Sequence, residues 1–388
     1  MIPLAYNVRS ILRRRFSAFA TVGGLGLVVF VFAAVLMLAR GVQETLKSTG
    51  SPENAIILRK GSTSELTSLL PRDAAKTFAA DPTVAIEGGR QVASPELFVV
   101  FQLQRADGNG TGNVGFRGVT KDGWELLRSK SIKVVEGRLP QWATSEVMLG
   151  RSTVGRYKGA RVGDSISIAR RQWSVVGIFD AGGSGFDSEV WADADQIADA
   201  ARRTGYSIVT VKLKDPSEFD GLRATVDADP RWNLEAKRED RFYEEAAGPM
   251  ATLIQVLGTF ITVFFAFAAT LGAMITMYAQ VATRVREVGT LRALGFRRRS
   301  VLVSFLVESL ILALLGSVAG CILASLLGAA TFTTTNFGSS FTEIKFRFHF
   351  APEIALKATI FAVLMGLFGG LLPAARAARL QIAEATKG

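Results

Sequence analysis

The chain has 388 residues and a mean hydropathy of +0.28, which is too apolar for a typical soluble protein and too mixed for a bundle of helices alone. Its formal net charge is +11, and three short segments that flank long apolar runs account for the whole excess. No basic patch interleaved with aromatic residues occurs outside those flanks, which argues against nucleic acid as a partner. Short Lys/Arg-rich segments tend to stay on the cytoplasmic side of a membrane, so the charge pattern predicts a membrane protein and its orientation.

The first basic segment contains Arg9 and residues 13–15, all arginine, and precedes a charge-free run over residues 16–39. This run exceeds the about 20 residues that cross a bilayer. A cleaved signal peptide is the alternative, because a basic start followed by an apolar run resembles its first two regions. The run is about twice as long as a signal core and ends without a small-residue cleavage site. We therefore assign residues 1–44 to an N-terminal cytoplasmic segment and a first transmembrane helix.

Residues 45–245 have the mixed polar and apolar pattern of a domain that folds outside the membrane, on the side opposite the basic flanks. The predicted elements are a strand at 55–59, a helix at 71–80, strands at 97–104, 114–119, 132–135, 146–149, 165–169 and 173–179, a helix at 194–203, a strand at 208–214 and a helix at 217–228. This order predicts an α+β domain whose sheet is completed from both ends, with a β-rich subdomain at about 112–204. Residues 235–248 are polar and helical in pattern, so we expect a stalk that extends the second span outward.

Three further charge-free runs follow, at residues 248–283, 309–342 and 358–375. With the first run they predict four spans, which bring both ends of the chain to one face of the membrane. The predicted fold class is therefore a membrane protein with four transmembrane α-helices and a large α+β extracytoplasmic domain inserted between the first and second. Residues 246–388 are expected to form the domain that holds the last three spans.

The sequence gives little support for catalysis or metal binding. Cys321 and His349 are the only cysteine and histidine, and neither has partners at ligand spacing. Asp187 and Glu189 lie near the glycine-rich residues 182–185, but no nucleophile motif accompanies them, which disfavours a membrane-anchored enzyme. The glycine-rich stretch is typical of a mobile loop. We therefore expect no catalytic residue and no metal site in this chain.

The most specific local pattern lies between the second and third spans. Val288, Leu291 and Leu294 recur there at three-residue steps with arginines around them, which predicts a short amphipathic helix in a cytoplasmic loop. A basic helix lying on anionic lipid would account for the charge and the amphipathicity. The order of residues is more specific, because residues 284–295 read R-x-R-E-x-G-x-L-R-A-L-G and residues 305–309 read F-L-x-E-S.

This signature resembles that of the MacB/FtsX-like permeases of ABC transporters. The resemblance extends to residues 370–380 near the end of the sequence and residues 7–10 near its start. In the predicted outer domain, residues 136–138, 146–150, 162–164 and 175–178 resemble the MacB-type extracytoplasmic domain. The resemblance therefore covers essentially the whole chain and implies an FtsX-like permease domain at residues 246–388.

The resemblance implies that residues at about 284–298 form a coupling helix that docks on an ATPase subunit. The residues expected to carry this contact are Arg286, Glu287, Gly289, Leu291, Arg292, Leu294 and Gly295. We expect the two leucines to enter a groove of the ATPase, and Arg286 and Arg292 to contact its acidic rim. The resemblance also implies ATP and Mg, bound by an ABC ATPase dimer. No G-x-x-x-x-G-K-[ST] loop occurs in this sequence, so we expect a separate ATPase chain and no cofactor bound here.

Other partners follow from the same resemblance. We expect a second permease, either an identical copy or a paralogue, and the lipid bilayer of the bacterial inner (cytoplasmic) membrane, with a periplasmic adaptor protein left open. Small-residue steps at Gly316 and Gly320, and at Gly366 and Gly370, allow helix backbones to approach closely. These steps serve either contacts within one subunit or a seam between two.

The predicted spans lack a file of ionisable residues, which argues against an ion or proton relay. The resemblance implies mechanotransmission instead, in which ATP hydrolysis by the ATPase moves the outer domains. The predicted function is a permease subunit that drives export or extrusion of a substrate such as a lipoprotein, lipid, peptide or drug. The alternative is an FtsX-like regulator that moves no substrate and signals to a cell-wall hydrolase, but such regulators usually have a smaller outer domain.

Overall fold

The computed structural model describes residue 9 and residues 13–329, 331–333 and 345–379. The resembling segments at 7–8, 10 and 380 therefore lie outside the described residues. The chain divides into two compact units. The helical unit comprises Met1–Gly41, Met250–Ala330 and Phe348–Gly388, and the sheet unit comprises Val42–Pro249 and Thr331–Arg347.

The described helices, in chain order, are α1 (Arg15–Lys47), α2 (Arg72–Ala79), α3 (Lys121–Leu126), α4 (Ala194–Ala201), α5 (Phe219–Ala228), α6 (Glu239–Thr283), α7 (Val285–Ala293), α8 (Arg298–Leu326) and α9 (Pro352–Arg379). The described strands are β1 (Asn54–Arg59), β2 (Ile86–Glu87), β3 (Arg90–Gln91), β4 (Ala93–Gln104), β5 (Thr111–Val119), β6 (Lys133–Gly137), β7 (Glu146–Gly150), β8 (Ser165–Ile168), β9 (Arg171–Asp180), β10 (Glu189–Asp193), β11 (Ile208–Lys212), β12 (Leu234–Arg238), β13 (Thr331–Thr333) and β14 (Lys345–Arg347).

Four of the described helices, α1, α6, α8 and α9, are long and apolar enough to cross a membrane. The two boundaries that separate the units early in the chain fall inside helices, at residues 41–42 in α1 and 249–250 in α6. The sequence between α1 and α6 forms most of the sheet unit, which therefore lies between the first and second long helices in chain order. The third charge-free run, at residues 309–342, is longer than the helix that it predicted, because α8 ends at Leu326. Residues 331–333 form a strand instead, as suits their two β-branched threonines.

The sheet unit is built on one sheet with the strand order β12-β1-β11-β4-β5-β10-β7-β9-β6, and β8 pairs with β9. Strands β4 and β5 form a long antiparallel hairpin, from Glu96 opposite Val119 to Gln104 opposite Thr111. This hairpin joins the part that contains β1 and β11 to the β-rich part. The predicted subdomain limit at residue 112 thus falls inside a hairpin that both parts share.

Local sequence explains how the helices of the sheet unit begin and end. Pro71 precedes α2, whose first turn contains Asp73, as expected for a helix start. The Asp193 side chain accepts hydrogen bonds from the backbone N–H groups of Asp195 and Gln196 and caps α4. Arg202, at φ 52°, ends that helix in the left-handed conformation. The helices predicted at 71–80 and 194–203 are confirmed.

The sequence pattern predicted one helix over residues 235–248, and this prediction is wrong for the first residues of that range. Residues 234–238 form β12, which pairs with β1 and places Ile57 opposite Ala236. Leu234 and Ala236 are buried while their neighbours are partly exposed, so the segment has the two-residue period of an edge strand. The helix starts only at Glu239, and β12 completes one edge of the sheet.

The four small-residue positions predicted to pack helices lie at contacts within one chain. A Cβ atom on Gly316 would lie 3.0 Å from Leu25 Cβ, and one on Gly320 would lie 2.6 Å from Gly26 O, so α8 packs closely against α1. A Cβ on Gly366 would lie 2.5 Å from Ala313 Cβ, and one on Gly370 would overlap the Ser309 side chain. These glycines therefore set the separation of α8 from its two neighbours.

Replacement of Gly320 by alanine is expected to destabilise the helical unit. Its new methyl group would meet backbone of α1, which cannot rotate away, and overpacking of this kind costs about 1–3 kcal/mol. Gly24→Ala is the matched control, since no described atom lies within 4 Å of the added Cβ and alanine favours a helix over glycine by about 1 kcal/mol. Thermal unfolding of the detergent-solubilised chain measures both variants. An equal midpoint for the two would contradict this packing.

Candidate coupling site

The predicted coupling helix is α7, and it is shorter than the predicted range of 284–298. It ends at Ala293, where the backbone N–H groups of Leu294 and Gly295 donate to the carbonyls of Thr290 and Arg292. Gly295 has φ +94°, a conformation that favours glycine and stops the helix. The next helix, α8, begins at Arg298. The glycine therefore turns the chain sharply between a short helix and a long one.

One face of α7 packs on the long helices. Val288 is buried in a cluster with residues of α6, α8 and α9, namely Met277, Val281, Val301, Phe305, Ala374 and Ala377. Gly289 is also buried, so the helix backbone approaches its support closely at this point. The short helix is thereby fixed to three long helices, and a movement of α7 would displace all of them.

A buried ion pair holds the start of this helix. Arg284 Nη1 lies 2.8 Å from Glu308 Oε2 of α8, and the two side chains are only 5% and 3% exposed. Arg284 Nε lies 3.1 Å from Glu287 Oε2, and the guanidinium lies 5.2 Å from the centre of the Phe305 ring. Charge burial of this kind demands a paired and hydrogen-bonded partner. The ion pair therefore fixes the junction between α6 and α7 against α8.

The opposite face of α7 is open. Leu294, just after the last residue of α7, is 73% exposed. Arg286, Glu287 and Gly295 are exposed as well, and the exposed arginines 297–299 follow in the chain. The surface thus combines one exposed apolar side chain with several exposed arginines.

Two of the residues predicted to contact the ATPase, Leu291 and Arg292, are less exposed than Leu294. Leu291 is half-buried, so part of its surface is already used within the chain. Arg292 is also half-buried, and its Nη1 lies 3.5 Å from the carbonyl oxygen of Ala378 in α9. Arg292 thus holds α7 to the last helix rather than standing free at a rim. The sequence placed Val288 on the apolar stripe and indicated that Glu308 pairs with an arginine of the coupling helix. The structure identifies that arginine as Arg284, 24 residues from Glu308 in the chain.

No group of three or more His, Cys, Asp or Glu side chains that could hold a metal ion occurs among the residues that the structure describes. Cys321 is a free, half-buried thiol in α8.

Two protein-family descriptions match the chain. The family described as "MacB-like periplasmic core domain" matches residues 18–229, and "FtsX-like permease C-terminal" matches residues 259–382. The first match covers more than half of the chain, and the second includes all of α7.

Curated relatives show the same similarity. The Brucella abortus protein named "Macrolide export ATP-binding/permease protein MacB" is 27% identical over 399 residues, which cover 92% of this chain and 56% of that protein. The protein of the same name from Chlorobium luteolum is 26% identical and covers 94% of this chain and 57% of its own length. The chain thus spans about half the length of the curated relatives it matches. Among solved structures, the periplasmic region of MacB from Actinobacillus actinomycetemcomitans is 13% identical, with a TM-score of 0.35, over 52% of this chain and 94% of that chain.

Removal of one partner of the buried ion pair is expected to be far more harmful than removal of both. Glu308→Leu deprives the buried guanidinium of its shortest carboxylate contact, and a broken buried pair costs about 3–5 kcal/mol. The double variant Arg284→Met/Glu308→Leu leaves no buried charge and should recover most of that loss. Thermal unfolding of the purified chain checks this, with Glu287→Leu at the exposed partner as control. A double variant no more stable than Glu308→Leu would contradict the role of the pair.

Proposed function

Since this chain belongs to the MacB/FtsX-like permease family, we propose that it is the membrane subunit of an ABC transporter whose ATP hydrolysis occurs on a partner ATPase. The observation that supports this most strongly is the geometry of α7. The helix is locked by Val288 and by the Arg284–Glu308 pair to the long helices, while Leu294 faces outward. A short, exposed helix that is rigidly attached to long helices can transmit a force from a bound partner to those helices.

The charge pattern supports a cytoplasmic position for α7. Arginines cluster at the start of α1, around α7 and at the end of α9, whereas the residues of the sheet unit are balanced in charge. The tendency of Lys/Arg-rich short segments to remain in the cytoplasm then places the sheet unit outside. We propose the bacterial inner membrane as the location, with four membrane-spanning helices and the sheet unit on its outer side.

The helices do not offer a polar path for cargo. Residues 16–39, 250–283, 309–326 and 358–375 contain no Asp, Glu, Lys or Arg. Polar contacts between the described helices include isolated pairs of hydroxyl groups. Ser317 lies 2.9 Å from Thr359, and Thr21 lies 3.1 Å from Thr276. Such pairs join helices and do not line a conduit. We therefore propose that the work is done outside the membrane, by movement of the sheet unit.

The cargo proposed is an amphiphilic molecule that is exported or extruded, such as a lipoprotein, lipid, peptide or drug. The match to the MacB-like core domain and the macrolide-export names of the relatives support an exporter over an FtsX-like regulator of a cell-wall hydrolase. The proposed partners are an ABC ATPase dimer that binds ATP and Mg and a second permease, identical or paralogous. No nucleotide contact is assigned to residues of this chain.

Leu294→Asp is expected to abolish binding of the ATPase. A buried apolar anchor in an interface commonly contributes about 2 kcal/mol or more, and a carboxylate would also be repelled by the acidic rim of the groove. Arg286→Ala should weaken binding in a salt-dependent manner, because rim charges act mainly through long-range attraction. The measurement is co-purification of the chain in lipid nanodiscs with the ABC ATPase encoded beside it.

The matched control is Val135→Asp, the same kind of change at a residue of β6 that is 53% exposed. It should leave ATPase binding unchanged. Leu294 is the cleaner test residue because Leu291 is half-buried in its own chain. Full ATPase retention by Leu294→Asp would remove the coupling assignment and with it the main support for the proposed function.

A further inference from the structure

The sheet unit contains a buried cluster of charged side chains that sequence analysis did not identify. Six of these buried residues form a group that we call the ionic cluster: Glu65, Glu96, Arg117, Arg128, Glu189 and Glu239. Arg117 lies 2.8 Å from a carboxylate oxygen of each of Glu65, Glu96 and Glu189. Arg128 lies 2.6 Å from Glu96 and 2.7 Å from Glu239. The two guanidiniums thus share Glu96 and join into one network.

The network binds together the two places where the sheet unit meets α1 and α6 in the chain. Glu239 is the first residue of α6, and its Oε2 accepts hydrogen bonds from Ser51 N at 2.9 Å and Asn54 Nδ2 at 2.7 Å. Ser51 lies just beyond the end of α1. Tyr243, one turn further along α6, donates its hydroxyl to Glu65 Oε1 at 2.6 Å. The end of one long helix and the start of another are therefore held by the same charges.

A short 3₁₀ turn at Gly185–Ser188 completes this arrangement. Of the glycine-rich residues 182–185, which the sequence suggested as a mobile loop, Gly182 and Gly183 are exposed, whereas residues 184–188 are buried. The Gly185 N–H donates to Thr49 Oγ1 at 2.8 Å, and Ser188 Oγ accepts from the N–H of Lys345 in β14 at 3.1 Å. The turn therefore contacts both the residues that follow α1 and the residues between α8 and α9.

Phe186 connects the turn to the ionic cluster. Its ring centre lies 4.8 Å from the Arg117 guanidinium and 5.0 Å from that of Arg128, within the range of cation–π attraction. The Tyr243 ring meets it edge to face at 6.0 Å. Residues just beyond the end of α1, the start of α6 and Lys345 of β14 thus each contact this assembly.

Stability alone does not explain such a cluster. Burial of ions is costly, and well-packed apolar residues at such positions are often neutral or more stabilising. Burial raises the pKa of Glu189 above its ordinary value, and Arg117 offsets this only in part. Burial also opposes ionisation of Glu96, but Arg128 and Arg117 outweigh it and hold the pKa of Glu96 below its ordinary value. What the charges supply is a directional, stiff connection, since hydrogen-bonded ion pairs fix both distance and angle.

We propose that the ionic cluster and the Phe186 turn form a rigid joint that holds the end of α1 and the start of α6 on the sheet. A movement of these two helices would then move the sheet with them. The inference rests on the proposed function, in which a partner ATPase moves the helices. Within it, Glu239 and Phe186 are positioning residues. Neither contacts cargo or nucleotide in this account, and their role is to keep the angle between α6 and the sheet constant.

The test measures that angle in the presence of the driving nucleotide. Spin labels are attached to cysteines at Arg241, on the exposed side of α6, and at Asn109, in the loop between β4 and β5, in a Cys321→Ser background. The full chain is reconstituted in nanodiscs with the ABC ATPase encoded beside it. Distance distributions are recorded by electron paramagnetic resonance without nucleotide and with Mg-ATP and vanadate.

The unsubstituted joint should give one narrow distribution that is the same in both states. Glu239→Gln preserves size but removes the charge that holds Arg128, Ser51 and Asn54, and Phe186→Leu removes the ring between the guanidiniums. Both variants should retain ATPase binding and hydrolysis, yet their distributions should broaden and shift with nucleotide. Glu146→Gln is the matched control, because Glu146 also accepts hydrogen bonds from an arginine, Arg138, and from a backbone N–H, that of Gln141, but does not belong to the ionic cluster. It should behave like the unsubstituted chain.

Two outcomes would overturn the joint. A distance that shifts with nucleotide in the unsubstituted chain would show a flexible connection, and distributions in Glu239→Gln and Phe186→Leu that stay narrow and constant would show that the cluster is not what stiffens it. In both cases ATPase co-purification with the unsubstituted chain shows that the proposed function itself stands. If no ATPase binds that chain, the proposed function fails, and the inference that rests on it fails with it.

Discussion

Two guanidinium groups, those of Arg117 and Arg128, hold four carboxylates inside the sheet unit, and the arrangement of the unit follows from satisfying them. The carboxylates come from a loop, from β4, from β10 and from the first residue of α6, so segments distant in sequence meet around the two arginines. An unpaired member would cost several kcal/mol, because a charge in a low-dielectric interior has no water to solvate it. The same requirement fixes where α6 leaves the sheet.

The helical unit uses the same chemistry once more. Arg284 and Glu308 form a buried pair where α6, α7 and α8 meet, and Val288 packs beside it. Both α1 and α6 are continuous helices through the boundary between the two units. We propose that the Arg284–Glu308 pair transmits a movement of α7 to the long helices and that the ionic cluster transmits it to the sheet. Close glycine contacts keep the long helices at a fixed separation.

Much of the fold could be predicted because it depends on local pattern. Charge-free runs identified α1, α6, α8 and α9, a short apolar run identified β1, and the turn-forming clusters between strands helped to identify β5 and β9. Edge strand β12 was missed because Leu234 and Ala236 are too few to reveal a period beside a helix start. The ionic cluster was not predictable, since Arg128 and Glu239, which are in contact, lie 111 residues apart in the chain and each member looks like an ordinary surface charge. At the coupling site, the apolar stripe indicated Leu294 as a candidate, and only tertiary packing shows that Arg292 lies against α9.

The central claim is that α7 and the sheet unit lie on opposite sides of one membrane. Labelling of single cysteines in intact cells tests it most directly, with an impermeant maleimide, a Cys321→Ser background and, where an outer membrane is present, its permeabilisation. Asn109→Cys lies in an exposed loop of the sheet unit, and Thr290→Cys lies on the exposed face of α7, and neither substitution alters the charge that orients the chain. The account predicts that Asn109→Cys is labelled in intact cells and that Thr290→Cys is labelled only after the inner membrane is disrupted. Labelling of Thr290→Cys in intact cells, with Asn109→Cys protected, would contradict it.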